Sequence, residues 1–252
     1  MNRNEILTDP KQLVRLELQS AGFDWDTINI PKRVYLLADD IFDTMLAKNC
    51  GEYRYPLGGN LYVFCTNPNI GFVKGNMCSA GIATQAEDLI AAGVEELIHI
   101  GYAGGIQPDM KVGDVILTDG AFNDTAVARL YGYDVDFMES TSTLTNQMET
   151  LCKDNSIKFR RGKHWTTDAG YRETWGQILD YREKGALGVE MEGVGLFTIA
   201  KYRNARATAI YIISDVLNES GWSLGWNENT ITSSREKLLH MILLNSRLLT
   251  GD

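Results

Sequence analysis

Two short stretches carry the residue types needed for acid–base chemistry. Gly188-Val189-Glu190-Met191-Glu192-Gly193 holds two carboxylates with one residue between them, and Ser214-Asp215 closes the next apolar run, Ala207 to Ile213. That run is nearly all apolar and too short to cross a membrane, so it reads as a central strand covered on both faces. Ligands of open α/β sheets lie outside the carboxyl ends of such strands. Ser214 and Asp215 fall there, where a carboxylic acid can donate a proton to a bound substrate. Glu190 and Glu192 cannot share a helix face at their spacing, so they are expected to do different jobs. The plainer alternative is that both favour the N-terminus of the following helix electrostatically while Ser214 caps the next turn. These residues alone leave the two open.

The elements that must position these groups alternate along the chain. Asp9-Pro10 opens and Gly22 closes a helical pattern containing Leu13, Leu16 and Leu18, which makes residues 1–27 an N-terminal helical extension. Val34 to Leu37 reads as the first strand, followed by a helix through Met45 and Leu46, and residues 60–66 and 71–77 read as two more strands. Ser79-Ala80-Gly81 reads as a tight turn before a helix of Ile82, Ala86, Leu89 and Ile90 that Gly93 stops. The strand Leu97 to Ile100 ends in Gly101-Tyr102-Ala103-Gly104-Gly105, a loop in which backbone can come close to a ligand; a simple turn is the other reading. A strand from Asp114 to Thr118, a helix from Thr143 to Lys153, a polar loop from Thr166 to Thr174, a helix from Val194 to Arg203 and an amphipathic helix from Ser234 to Leu249 follow. The alternation predicts one three-layer α/β/α domain spanning residues 1–252, with a mixed, largely parallel central sheet.

Composition narrows the partners. The net charge is −9 and no Lys/Arg run offsets it, which argues against nucleic acid and against an anionic membrane surface. Any anionic substrate must then meet a local cluster of positive groups. Cys50, Cys65, Cys78 and Cys152 have no CxxC spacing, and His99, His164 and His240 lie far apart. Reduced thiols, no metal site and a cytoplasmic location are the expectation. The polar start, residues 1–5, carries no visible signal or transmembrane segment.

Several pieces together resemble one family. Ser79-Ala80-Gly81-Ile82, Ile98-His99-Ile100-Gly101-Tyr102-Ala103-Gly104-Gly105-Ile106-Gln107-Pro108, Val112-Gly113-Asp114-Val115, Val189-Glu190-Met191-Glu192 and Ser214-Asp215 stand in the order and spacing of the nucleoside phosphorylase-I family. That family includes purine nucleoside phosphorylases, uridine phosphorylases and related nucleosidases, and the resemblance runs from about Val34 to the C-terminus. It implies cleavage of a nucleoside N-glycosidic bond through an oxocarbenium-like transition state, with inorganic phosphate as co-substrate and no cofactor. By resemblance, Glu192 binds the ribose hydroxyls, Met191 packs against the sugar, and Val189 and Glu190 line the base side. Asp215, with Ser214 beside it, protonates a purine at N7 as it leaves, and Ala103 and Gly104 belong to the loop beside base and sugar. A pyrimidine has no N7 and the uridine phosphorylases lack the Ser-Asp pair, so a purine is expected. Gly170 stands where many purine enzymes carry a stacking Phe, and Tyr171 offers a ring from the next position.

The phosphate site departs most from the family pattern. His99 replaces an Arg on the strand, Tyr102 replaces a Ser or Thr, and the N-terminal Gly-Asp-Pro-x-Arg motif is not intact. Its Arg falls either at Arg33 or, following the strand, at Phe42. Arg54 matches an arginine donated by a neighbouring subunit, which implies a homo-oligomer, a dimer or a hexamer. Arg33, Arg54, His99 and the backbone at Gly101 are the candidate phosphate donors. Hydrolysis by water is the alternative reaction, with Asp39 or Asp40 nearest to a water-activating group; a nucleoside-binding protein without catalysis is the third reading.

Overall fold

The computed structural model describes residues 6–219, 221–226 and 229–248. The polar segment 1–5 and Leu249 of the expected last helix lie outside them. In chain order the elements are α1 (Pro10–Ser20), β1 (Arg33–Leu37), α2 (Asp39–Ala47), β2 (Gly51–Tyr55), β3 (Leu61–Phe64), β4 (Asn67–Lys74), α3 (Ser79–Ala92), β5 (Glu96–Gly105), β6 (Val115–Asp124), α4 (Val127–Leu130), β7 (Phe137–Glu139), α5 (Ser142–Asp154), β8 (Arg160–Thr167), a 3-10 turn (Gly170–Arg172), α6 (Trp175–Glu183), β9 (Ala186–Glu190), α7 (Gly193–Tyr202), β10 (Arg206–Asn218), β11 (Gly221–Leu224) and α8 (Asn229–Leu248).

The helix signals act as their chemistry requires. Asp9 caps α1 by accepting the Lys11 N–H, with Pro10 in the first turn. Val14 and Leu18 are the buried residues of α1, whereas Leu13 and Leu16 face outward. Val14 and Leu18 join the same core cluster as Ile82, Ala86 and Leu89 of α3, so the N-terminal extension is part of the main core. Gly93 ends α3 in the left-handed conformation at φ 115°. Ser79-Ala80-Gly81 is the first turn of α3 and not a separate tight turn.

All the strands join one mixed sheet of eleven strands among the described residues. β4, β1, β5 and β10 run parallel, as do β6, β8 and β9, and the remaining pairings are antiparallel. β5 pairs with both β9 and β10, and β10 also pairs with β6. The strands β10, β6, β8, β9 and β5 therefore close into a ring, and β1, β4, β3 and β2 extend from it. One face of the sheet buries α1, α3, α4 and α7. The other buries α2, α5 and α8. This gives the three layers.

The expected glycine loop after Ile100 is strand. β5 continues in register with β10 from Glu96 through Gly105, with a bulge on β10 between Ile213 and Asp215. The glycines serve close packing. A Cβ on Gly104 would lie 3.0 to 3.3 Å from Leu217, Asp215 and Val189, and one on Gly105 would lie 3.1 Å from Ile213 and Met110. β10 likewise runs past Ser214-Asp215, so these residues sit within the strand at its bulge.

α3 and α7 cross at Gly195, where a Cβ would lie 2.2 Å from the Ser79 carbonyl oxygen. Gly195→Ala forces these helices apart, an overpacking that costs about 1–3 kcal/mol. The thermal midpoint should fall by at least ~2 °C, since each kcal/mol moves it by roughly 2–4 °C at this size. An unchanged midpoint in calorimetry would show that the crossing can open freely.

Candidate active site

The turn that follows β9 is built around one carboxylate. Glu190 is buried, and its Oε2 accepts the N–H groups of Glu192 at 2.7 Å and Gly193 at 2.8 Å and the hydroxyl of Tyr211 at 2.9 Å. Its Oε1 accepts the Thr166 hydroxyl and lies 3.0 Å from His164 Nε2. The His164 ring is close enough to interact by charge but is not aligned for a hydrogen bond to it. On its other side His164 Nδ1 meets the Thr118 hydroxyl at 2.5 Å. Burial pushes the Glu190 carboxyl up, but the adjacent His164 and the hydrogen bonds outweigh it and hold the group well below its ordinary value. Gly193 has no side chain because a Cβ would lie 2.5 Å from His164 Nε2.

This turn presents Glu192. Its Oε1 accepts the Cys78 N–H at 2.9 Å, and the Ser79 hydroxyl donates to the Met191 carbonyl at 3.0 Å. Cys78 holds φ 67° and ψ 156°, a region that a non-glycine residue occupies at a cost of about 1–3 kcal/mol. That strained backbone is what aims its N–H at Glu192. Burial and the charge of Glu190 push the Glu192 carboxyl up to about 8, so at neutral pH it carries a proton and can donate as well as accept.

Asp215 lies at the same end of the sheet. It pairs in register with Gly104, and Gly104 pairs with Val189, so the three form one row across β10, β5 and β9. Glu190, Met191 and Glu192 follow directly from that row. Asp215 Oδ1 accepts the Ser214 hydroxyl at 2.6 Å, and Oδ2 accepts the Trp222 indole N–H at 2.7 Å. Glu173 stands nearby; burial and the charge of Asp215 push its carboxyl up to about 7. A Cβ on Gly170 would lie 3.4 Å from Met191 Sδ and 3.7 Å from Glu173 Oε1, which links the Asp215 side to the Glu192 side.

Residues 41–243 match the model of the phosphorylase superfamily. The chain belongs to that superfamily. It is a pentosyltransferase. It is 34% identical over 189 residues to a purine nucleoside phosphorylase of the DeoD type from Exiguobacterium sibiricum, covering 74% of this chain and 79% of that protein. Proteins of the same name from Shewanella baltica and Actinobacillus pleuropneumoniae are 39% and 36% identical over 125 and 133 residues. Those two alignments span about half of each relative, 52% and 55%, and 49% and 52% of this chain.

Set against the superfamily pattern, the described structure brings Val189, Met191, Glu192, Ser214, Asp215, Ala103 and Gly104 to one end of the sheet. The other expected residues are elsewhere or otherwise engaged. Glu190 does not line the base side, because its oxygens are taken up by internal donors. Arg33 starts β1 at the end of the strand opposite the site and pairs with Glu96. Arg54 is exposed on β2, the strand at one end of the sheet order, and pairs with Glu52. Tyr171 is 100% exposed in the 3-10 turn and packs on nothing. His99 is buried beneath Gly101, whose Cβ would lie 2.9 Å from its ring. Burial pushes the His99 ring down to about 4, although Glu190 opposes the shift, so it is neutral at physiological pH and supplies no cation for phosphate. Lys74 is exposed and pairs with Asp39.

Tyr102 has acquired other partners. Its hydroxyl donates to Asp40 Oδ2 at 2.7 Å, the same oxygen that Arg235 Nη1 reaches at 2.5 Å, and the Trp226 ring lies 5.0 Å away. Sequence reasoning missed Cys78, Glu173, Trp222 and Arg235 as residues of this region. Glu173 carried a signal, since an acidic residue inside a polar loop after a strand is a binding candidate. Cys78 and Arg235 come from elements distant in sequence and carried none, and Trp222 lies on a hairpin strand that the sequence reading did not assign. Among the described residues, no group of His, Cys, Asp and Glu could hold a metal ion, and no helix is long and apolar enough to cross a membrane.

The raised Glu192 group gives a signed pH effect. Its folded-state value of about 8 exceeds the ordinary 4.5, so its contribution to stability is complete below about pH 4.5 and is lost as pH rises through about 8. Glu192→Gln cannot ionise. Urea unfolding between pH 5 and 9 should show stability falling with pH in the wild type and a flatter profile in the variant. Parallel profiles would refute a protonated Glu192.

Proposed function

We propose that this enzyme cleaves the N-glycosidic bond of a purine nucleoside and transfers the pentosyl group to inorganic phosphate, releasing free base and ribose 1-phosphate. The observation that carries the reading is the row Asp215–Gly104–Val189 with the Glu192 turn following directly from it. Asp215 is the general acid that protonates the purine at N7 as the bond lengthens. Glu192 engages the ribose hydroxyls, its protonated carboxyl able to donate as well as accept. Met191 packs against the sugar. The name of these relatives, purine nucleoside phosphorylase, supports both the base and the acceptor.

A second reading, hydrolysis, is favoured by one specific observation. His99 is neutral, and the Arg235 guanidinium is already paired with Asp40. Phosphate must therefore compete with Asp40 for Arg235, whereas water needs no cation. We further propose that the enzyme is cytoplasmic, needs no cofactor and acts as a homo-oligomer, a dimer or a hexamer. The exposed Arg54 on β2 would then reach a neighbour's site. Sedimentation should give an assembly at micromolar concentration; a monomer would remove the role of Arg54.

Product analysis with inosine, adenosine, guanosine and uridine, with and without phosphate, separates the readings. Ribose 1-phosphate and a purine base are expected only when phosphate is present. Free ribose at a rate indifferent to phosphate would establish hydrolysis instead. In the same assay Asp215→Asn should lower turnover by about 10²–10⁴-fold while KM stays within a few-fold, because Asn keeps the shape but cannot donate the proton.

A further inference from the structure

We infer that Trp222 completes the base side of this site: its indole N–H holds the Asp215 carboxylate, and its ring supplies the flat apolar surface against which the purine lies. The inference rests on the nucleoside reading above. β11 returns antiparallel along the end of β10, with Asp215 opposite Leu224 and Leu217 opposite Trp222. This hairpin puts the indole Nε1 2.7 Å from Asp215 Oδ2 while Ser214 holds Oδ1. An indole N–H only donates, so it fixes Oδ2 as the accepting oxygen, holds the Asp215 carboxyl in one orientation and leaves Oδ1 to carry the proton that passes to N7.

The ring itself is 60% exposed. Exposing this much aromatic surface forgoes the burial that dominates the energetics of such side chains, unless a ligand covers it. The turn beside Met191 and Glu173 leaves room next to it. Gly170 brings no side chain and has only Met191 Sδ and Glu173 Oε1 within 4 Å of where a Cβ would sit, and Tyr171 points fully into solvent. Of the aromatic rings in the described residues, Trp222 is the one bonded to the proposed general acid. Leu224 and Trp226, also half-exposed, continue the apolar rim.

Two substitutions separate the two roles. Trp222→Phe keeps a ring and loses the N–H; kcat for purine nucleosides should fall several-fold with KM within about twofold. Trp222→Ala loses both; KM should rise on the order of tenfold, the usual scale for one base–aromatic stack, with a similar drop in kcat. Calorimetric binding of free hypoxanthine and adenine should weaken on the same scale in Trp222→Ala, and this readout needs no turnover and no choice of acceptor. A merely structural hairpin would lower the thermal midpoint of both variants without this split between KM and kcat. Unchanged purine affinity in Trp222→Ala, in a protein that still cleaves nucleosides, overturns the inference and leaves the proposed reaction standing. Weakened purine binding in a protein that cleaves nothing supports the inference and removes the reaction.

Discussion

Glu190 lies with its carboxylate inside the protein, where an ionised group without partners would cost several kcal/mol. It is tolerated because it collects three backbone or tyrosine donors, the Thr166 hydroxyl and the adjacent His164 ring. These donors come from β8, β10 and the start of α7, so the carboxylate joins two strands of the ring to the helix that leaves it. The charge has a second effect one turn of chain away. It is the main charged influence that keeps the Glu192 proton in place. The two glutamates thus differ by environment and not by sequence: one is ionised and structural, the other protonated and open to a ligand.

At the same end of the sheet the basic groups are either neutral or already paired. His99 is buried and uncharged, and Tyr102 and Arg235 converge on Asp40. Such a carboxylate–guanidinium contact is strong and directional, so an incoming dianion meets a cation that already has a partner. On the proposed reading the acceptor side is the part in which this chain departs from the expected pattern, while the row of Val189, Gly104 and Asp215 stands across β9, β5 and β10.

Much of this was legible in the sequence where local rules decide the outcome. The Asp9-Pro10 cap, the Gly93 stop and the apolar run before Ser214 each fix an element through its own backbone chemistry. The different jobs of Glu190 and Glu192 followed from their spacing. What was misread depends on long-range packing. Gly101 to Gly105 looked like a loop because glycine punctuates turns, but here Gly104 and Gly105 make room for side chains of neighbouring strands and Gly101 for the His99 ring of its own strand. Arg33 and Tyr171 were placed by analogy of position, and neither the strand's direction nor the side chain's exposure can be read from one sequence. Cys78 and Trp222 meet the site through tertiary contacts at separations of 114 and 7 residues, and a strained cysteine backbone has no sequence signature at all.

The ring of β10, β6, β8, β9 and β5 has one further consequence. A strand in a closed circuit cannot slip by one residue without breaking the pairing on its other side. Val189, Gly104 and Asp215 are therefore locked to each other by every strand of the circuit. The β11 hairpin lies outside it, attached to the far end of β10 by a short ladder. Replacing its side chains leaves the register of the circuit intact. The fold thus has two parts: a locked circuit that carries Asp215 in fixed register, and an appended hairpin whose Trp222 reaches back to hold it.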